Sequence, residues 1–301
     1  MTTKTNSMKQ SKNDARTFKV RFWKHRRNNV KELYVKKGDN EYEKVEFKDL
    51  LSLQFAYGVG GVLLITEENY LRLKMAVDLN DRYSVENDDN EKSAQYYIKN
   101  SYLKEGHLVN DIDVIKEVCK RIDKENSTHL SVVGNRKIKI SNKTNNGIDI
   151  MAKRIANVEN LEQRLKDGDP SLVQELGGKV GERHAVSFAS KFCTEVSLTA
   201  FGNTKFAKFD SVMRDVLPIY ANNYLGKTYW KKTTRGNYVS TFSADNYAEY
   251  LEVVTDEEND ILGGSGDVDI DKLDLMLWYY YKGKSNVLNE FVKNRTREII
   301  L

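Results

Sequence analysis

The chain has 301 residues, 40% of them hydrophobic, and a net charge of +4, which is enough apolar material for a sizeable core in two domains or one large one. No apolar run approaches the roughly 18 to 20 residues that a membrane span requires, and the polar N-terminus lacks the hydrophobic region of a secretory signal. Cys119 and Cys193 lie far apart with no metal-ligand spacing around them, which suits a reduced, cytoplasmic compartment without a disulfide.

Residues 1–17 are polar and without period, and are expected to form a disordered tail. Between Arg16 and Lys37 stand nine basic residues, Lys24, Arg26 and Arg27 among them, against one acidic residue, Glu32, with Phe18, Phe22 and Trp23 interleaved. This composition suits a surface that tracks phosphates and stacks on bases; it equally suits a solvated strand face with its aromatics turned inward. The alternating stretches FKVRFW and KELYVKK predict strands between Phe18 and Lys48, with Gly38-Asp39-Asn40 as a turn. Asp49 is placed to cap a short helix. GVLLIT at 61–66 predicts a buried strand or a lead-in to a helix that Thr66 caps and that runs to Leu79. After an acidic loop at 81–92, residues 93–125 read as two helical pieces, the second with the stripe Ile112, Ile115, Val118, Cys119 and Ile122. HLSVVGNRKIKI at 129–140 predicts a β-ribbon turning at Gly134-Asn135, and SNKTNNG at 141–147 a linker.

The following part is mostly helical, interrupted by a polar segment at 231–237 and an acidic, glycine-rich loop at 255–267. Its central stretch is Asp169–Pro218. Asp169 caps and Pro170 opens a helix running to Leu176. Gly177 and Gly178 stop it, with φ > 0 expected there, and Gly181 beyond Lys179 tightens the next turn. A second helix then carries Ala185, Phe188, Ala189 and Phe192 on one face, and Asp210 stands at the start of another.

Most chemical motifs fail on their details. Gly58-x-Gly60-Gly61 precedes an apolar run and lacks a Gly-Lys-Ser/Thr ending, so it supports neither a dinucleotide site nor a P-loop. Asp267, Asp269 and Asp271 begin like a calcium loop, but Lys272 and Trp278 occupy the positions that need glycine and glutamate; a solvated loop capping a helix after Asp271 is the expectation. The four histidines share no zinc spacing, and no Gly-x-Ser-x-Gly elbow exists. Asp39, Glu46 and Lys48 have the residue types of a metal-dependent nuclease, a pattern of low specificity in a chain with 31% charged residues.

The segments LGGKVGERHAVSFASKFC at 176–193 and KFDSVMRDVLPIY at 208–220, with DKLDLMLWYYYK at 271–282, resemble the helix-hairpin-helix DNA glycosylase superfamily, in particular bacterial proteins with an 8-oxoguanine-glycosylase-like fold. The resemblance covers the second half of the chain. It implies a phosphate anchor at Gly177, Gly178, Lys179, Gly181 and Arg183, and a carboxylate, Asp210, that stabilises positive charge on the sugar as a flipped base departs. Read without the resemblance, the hairpin is a helix–helix corner and Asp210 a helix N-cap. Bifunctional members carry a lysine just after the hairpin glycine, where Arg183 stands here. Arginine stays protonated and cannot form a Schiff base, and Lys179 or Lys191 would need a shifted alignment. Arg183 also precedes Asp210 by 27 positions (210 − 183), longer than usual. Base excision without strand cleavage is therefore implied.

Phe192, Cys193, Trp230, Trp278 and Tyr281 are candidates to line the base pocket, with core packing as the competing reading. Of three consecutive tyrosines, at least one must turn from the core. The expected organisation is a tail at 1–17, an α+β domain at 18–147 and a mainly α domain at 148–301. The expected partner is double-stranded DNA, and no metal or cofactor is called for. The competing functions are a non-catalytic DNA-binding protein and a metal-dependent nuclease.

Overall fold

The computed structural model describes residues 18–22, 31–36, 42–46, 56–57, 61–66, 69–70, 73, 93–126, 128–132, 147–181, 183–203, 205–261, 270–282, 284 and 286–298. The chain divides into two compact units, Met1–Asp88 and Asp89–Leu301.

In the first unit β1 (Phe18–Phe22), β2 (Lys31–Lys36) and β3 (Tyr42–Glu46) form an antiparallel meander in the order β1-β2-β3. Phe18 pairs with Val35, and Lys36 pairs with Tyr42. These are the strands expected from the alternating pattern. The GVLLIT run contributes a single antiparallel bridge, Tyr57 to Leu63, and buries Val62, Leu63 and Ile65. Thr66 caps the next turn as expected, its hydroxyl accepting from the Asn69 N–H at 3.2 Å. Asn69 is fully buried and is satisfied by Ala56 N–H and by the Ala56 and Leu64 carbonyls. The tail, Lys24, Arg26, Arg27, the Gly58–Gly60 stretch and the Asp39 and Lys48 positions lie outside the described residues.

The second unit is mainly helical: α1 (Ala94–Tyr97), α2 (Ile112–Asn126), α3 (Gly147–Ala156), α4 (Leu161–Asp167), α5 (Pro170–Leu176), α6 (Val186–Phe201), α7 (Ser211–Tyr224), α8 (Tyr247–Ile261), α9 (Ile270–Tyr281) and α10 (Val287–Glu298). The unit begins at Asp89, upstream of the expected boundary at 147. The reason is physical: α2 buries Ile115, Val118, Cys119 and Ile122 against α3 and α6, so it belongs to the helical core. Between α1 and α2 lies a small hairpin, β4 (Leu103–Lys104) with β5 (His107–Leu108), turned by Glu105 and Gly106 in the left-handed region.

The ribbon expected at 129–140 is corrected over its described start, where Leu130–Val132 is a 3₁₀ turn. Asp123 dictates it: its carboxylate accepts from the Thr128 hydroxyl, from Leu130 N–H at 2.7 Å and from Ser131 N–H at 3.1 Å. Burial alone would raise the Asp123 pKa, but these hydrogen bonds outweigh it and hold the carboxyl below its usual range. Gly147 belongs to α3, not to a linker, and a Cβ there would lie 2.2 Å from the Leu130 carbonyl oxygen. Likewise α9 begins at Ile270, so Asp271 is its second residue.

Helix α6 is the axis of the unit. Ten of its residues are buried, from Val186 to Ser197, as expected of a helix surrounded on most sides. α5 and the glycine hairpin precede it, and α7 returns after it. The polar segment at 231–237 is the tip of a ribbon, β8 (Trp230–Lys232) with β9 (Tyr238–Ser240).

Candidate functional site

The glycine hairpin folds as the sequence suggests, with one change in how its glycines act. Asp169 caps α5 by accepting from Ser171 N–H at 2.9 Å. β6 (Lys179–Val180) pairs with β7 (Arg183–His184) around Gly181, whose φ is +63°. Gly177 is not left-handed; its φ is −73°. Glycine is required there by close approach instead, since a Cβ would lie 2.6 Å from the Val173 carbonyl oxygen and 3.0 Å from the Val186 Cα. Arg154 of α3 clamps the hairpin, donating from Nη1 to the Leu176 and Gly178 carbonyls at 2.6 and 2.9 Å and from Nη2 to the Lys179 carbonyl at 2.9 Å. Lys179 and Arg183 are exposed, and among the described residues neither has a carboxylate within 4.0 Å.

The end of α2, α6, the segment between α6 and α7, and α9 line an open cavity of about 410 Å³. The end of α2 supplies Glu125 and Asn126, and α6 supplies Lys191, Glu195 and Leu198. The segment between α6 and α7 supplies Lys208 and Asp210; α9 and the residue after it supply Asp274, Leu275, Trp278, Tyr279 and Lys282. Its volume lies within the usual range for small-molecule sites.

Two charged groups meet at its floor. Lys191 Nζ lies 3.9 Å from Asp210 Oδ2, with the lysine and aspartate side chains 9% and 12% exposed. The ammonium also donates to the Asn126 carbonyl at 3.4 Å. Burial lowers the Lys191 pKa; the negative charges of Asp210 and Asp274 oppose that shift without reversing it. The two oxygens of Asp210 divide the work. Oδ1 accepts from Val212 and Met213 N–H at 2.9 and 3.0 Å and so caps α7, while Oδ2 is left to face the lysine. Asp210 is thus both an N-cap and a cavity carboxylate.

The segment that delivers Asp210 is tied down on both sides. Ser190, the neighbour of Lys191, accepts from Phe209 N–H at 2.9 Å. From α8, Tyr247 donates to the Ala207 carbonyl at 2.7 Å and accepts from Ala207 N–H at 3.1 Å, and Tyr250 donates to the Lys208 carbonyl at 2.7 Å. Phe209 packs edge-on against Tyr250 at 4.9 Å. Such fixed hydrogen bonds hold a functional carboxylate at a defined distance from its partner.

At the wall formed by α9, Trp278 meets Tyr279 edge-on at 4.8 Å and carries the Lys282 ammonium 3.6 Å from its ring centroid. Lys208 pairs with Glu195 at 3.1 Å.

Of the residues proposed from sequence, the cavity brings together Asp210, Lys191 and Trp278. Arg183 is not among its lining residues; it sits on exposed β7. The cavity amine is Lys191, which precedes Asp210 by 19 positions (210 − 191). Phe192 and Cys193 are corrected to core residues, fully buried and not among the residues that line the cavity, and burial pushes the Cys193 thiol pKa up. Trp230 packs edge-on against Phe291 of α10 at 6.4 Å, and Tyr281 is buried with its hydroxyl 3.0 Å from that of Tyr220; neither lines the cavity. The tyrosine that turns toward it is Tyr279. Sequence reasoning missed Glu125, Glu195, Lys208, Asp274 and Lys282. A signal existed for two of these: Asp274, Trp278 and Lys282 recur at i, i+4, i+8, which places them on one helix face. Among the described residues no group of His, Cys, Asp and Glu could hold a metal ion, and no helix is long and apolar enough to cross a membrane.

A family model described as an N-terminal domain, HI_0787_N, matches residues 79–199. That span contains the hairpin and Lys191 and ends before Asp210. A Haemophilus influenzae protein described as an uncharacterized protein is 30% identical over 136 residues, 44% of this chain and 55% of that protein. The chain thus spans about half the length of this curated relative. No solved structure matches.

Proposed function

We propose that the protein is a DNA glycosylase of helix-hairpin-helix type in which Lys191 is the nucleophile and Asp210 the stabilising carboxylate. The observation that carries the reading is the pair itself: a buried amine of lowered pKa 3.9 Å from a fixed carboxylate oxygen, in a cavity walled by an indole. A lysine amine becomes a nucleophile when burial removes its proton, and an aromatic wall suits a base taken out of the duplex. The glycine hairpin, with Lys179 exposed beside it, fits the task of holding a phosphate of that duplex.

In this scheme the neutral Lys191 amine attacks C1′ of the flipped nucleotide and the C1′–N bond breaks. The bonding pair leaves with the base, which takes up a proton, and the Asp210 carboxylate stabilises the positive charge that develops on the sugar. Loss of the amine proton and opening of the sugar ring give an imine between Lys191 and C1′, which water can hydrolyse or which can shed the 3′ phosphate by elimination. This replaces excision by water alone, the expectation that followed from Arg183.

Incubation with duplexes carrying a panel of damaged or modified bases, followed by alkali, reads abasic sites. The wild-type protein is expected to release at least one of these bases and Asp210→Asn to release it at least 100-fold more slowly, on the order of the loss when one transition-state charge partner is removed. Duplex binding without release from any of them would leave the second reading, a non-catalytic DNA-binding protein anchored by the hairpin.

A further inference from the structure

Residues 225–244, LGKTYWKKTTRGNYVSTFSA, carry four cations and no carboxylate, in a chain where Asp and Glu number 44 of 301. The structure folds the middle of this stretch into the β8–β9 ribbon, with Trp230 opposite Ser240 and Lys232 opposite Tyr238. Its tip is closed upon itself. Thr233 N–H donates to the Asn237 carbonyl at 2.7 Å and Gly236 N–H to the Thr233 carbonyl at 2.9 Å. Asn237 N–H donates to the Thr233 hydroxyl at 3.2 Å, and Gly236 takes a φ of +80°. The base is anchored by Trp230 on Phe291, by Tyr238 N–H donating to Asn289 Oδ1 at 3.2 Å and by Tyr229 stacked on Phe242 at 4.8 Å. A two-stranded ribbon stiffened at both ends holds its side chains in place before any partner arrives.

Lys231, Lys232 and Arg235 are exposed, and among the described residues none has a carboxylate within 4.0 Å. Elsewhere Lys116, Arg121, Arg164, Lys166 and Lys208 each have one. Lys179 and Arg183 at the glycine hairpin share the unpaired state. The ribbon follows α7, whose other end is capped by Asp210.

We infer that the β8–β9 ribbon is a second contact to duplex DNA, in which Lys231, Lys232 and Arg235 pair with backbone phosphates away from the flipped nucleotide. The inference rests on the proposed DNA-directed function and extends its footprint beyond the hairpin. Each cation that neutralises a phosphate releases counterions and steepens the dependence of affinity on salt by about 0.9 in the logarithmic slope.

The test is a fluorescence-anisotropy titration of a long duplex at several salt concentrations. The full chain is compared with K231Q/K232Q/R235Q and with K99Q/K104Q/K124Q, which removes three exposed cations from outside the glycine hairpin and the ribbon. The ribbon variant is expected to lose about 2.7 from the slope, so that its deficit relative to wild type shrinks roughly 40-fold between 50 and 200 mM salt. The control variant is expected to keep the wild-type slope. Wild-type binding with an unchanged slope in the ribbon variant overturns the inference and leaves the DNA reading standing. An equal fall in both variants also overturns it, because net charge would then explain the effect. Absence of salt-dependent duplex binding by the wild type removes the DNA reading and the ribbon contact together.

Discussion

Lys191→Met separates the chemistry of the cavity from its stability. Methionine keeps most of the side-chain length and removes the ammonium. The charge pair at 3.9 Å is worth about 4 kcal/mol at an effective dielectric constant of about 20. Taking an ammonium out of water costs several kcal/mol in the opposite direction. Removing one partner of a buried pair costs about 3–5 kcal/mol where it strands the other charge; here Asp210 keeps both N–H bonds to Oδ1, so the loss is expected to stay below about 3 kcal/mol. Base release, in contrast, should fall to background. The assay pairs a denaturant melt with the alkali-cleavage assay on the same preparation. A loss of more than about 4 kcal/mol, the range for breaking a structural buried pair, would refute the assignment of Lys191 as a nucleophile held at a cost. So would retained base release in a folded variant.

Three further predictions concern the same framework. The Lys191 amine must be neutral to attack, so base release should rise with pH through its lowered pKa. Stability follows the same sign, because between the lowered folded pKa and the unfolded value of about 10.4 the unfolded chain binds the extra proton; a denaturant melt should show stability gained with rising pH in that window and the gain absent in Lys191→Met. Gly177→Ala drives a Cβ against two backbone atoms. It should cost about 1–3 kcal/mol in a melt and weaken duplex binding, whereas a wild-type melt would show that the α5–α6 approach is loose. Arg154→Met deprives three hairpin carbonyls of their donor and should cost about 2–4 kcal/mol. Amide exchange at Gly178–Gly181 should accelerate, and unchanged exchange would show that the hairpin holds its shape unaided.

The parts of this architecture that were legible in the sequence are those fixed by local chemistry. The β1 and β2 strands followed from alternation, α2 from its apolar stripe, and α5, the hairpin and α6 from Asp169, Pro170 and the glycines. Features fixed by distant partners were not legible. The 3₁₀ turn at Leu130–Val132 exists because Asp123 reaches it from α2, and Gly177 is glycine because Val186 passes close by, a reason that no φ rule contains. The site shows the same division. Asp210 was visible because an aspartate at a helix start is conspicuous. Lys191 was discounted because counting along the chain from the hairpin glycine stops at Arg183, whereas the cavity lies two turns further along α6, on the side where Asn126 and Asp210 converge. Trp278 and Tyr281 looked equivalent on α9; only the packing of Tyr220 against Tyr281 assigns one to the core and leaves the other at the cavity.

The most direct test of the central claim does not require the base to be known. A duplex with an abasic site presents the C1′ aldehyde itself, which condenses with an amine to an imine and water, and borohydride reduces that imine to a stable secondary amine. Peptide mass mapping of the trapped complex should find the deoxyribose remnant on Lys191, and Lys191→Met should give no adduct there. An adduct on Lys179, Lys208 or Lys282 with Lys191 unmodified, or no adduct while the wild-type protein binds the duplex, would contradict the account.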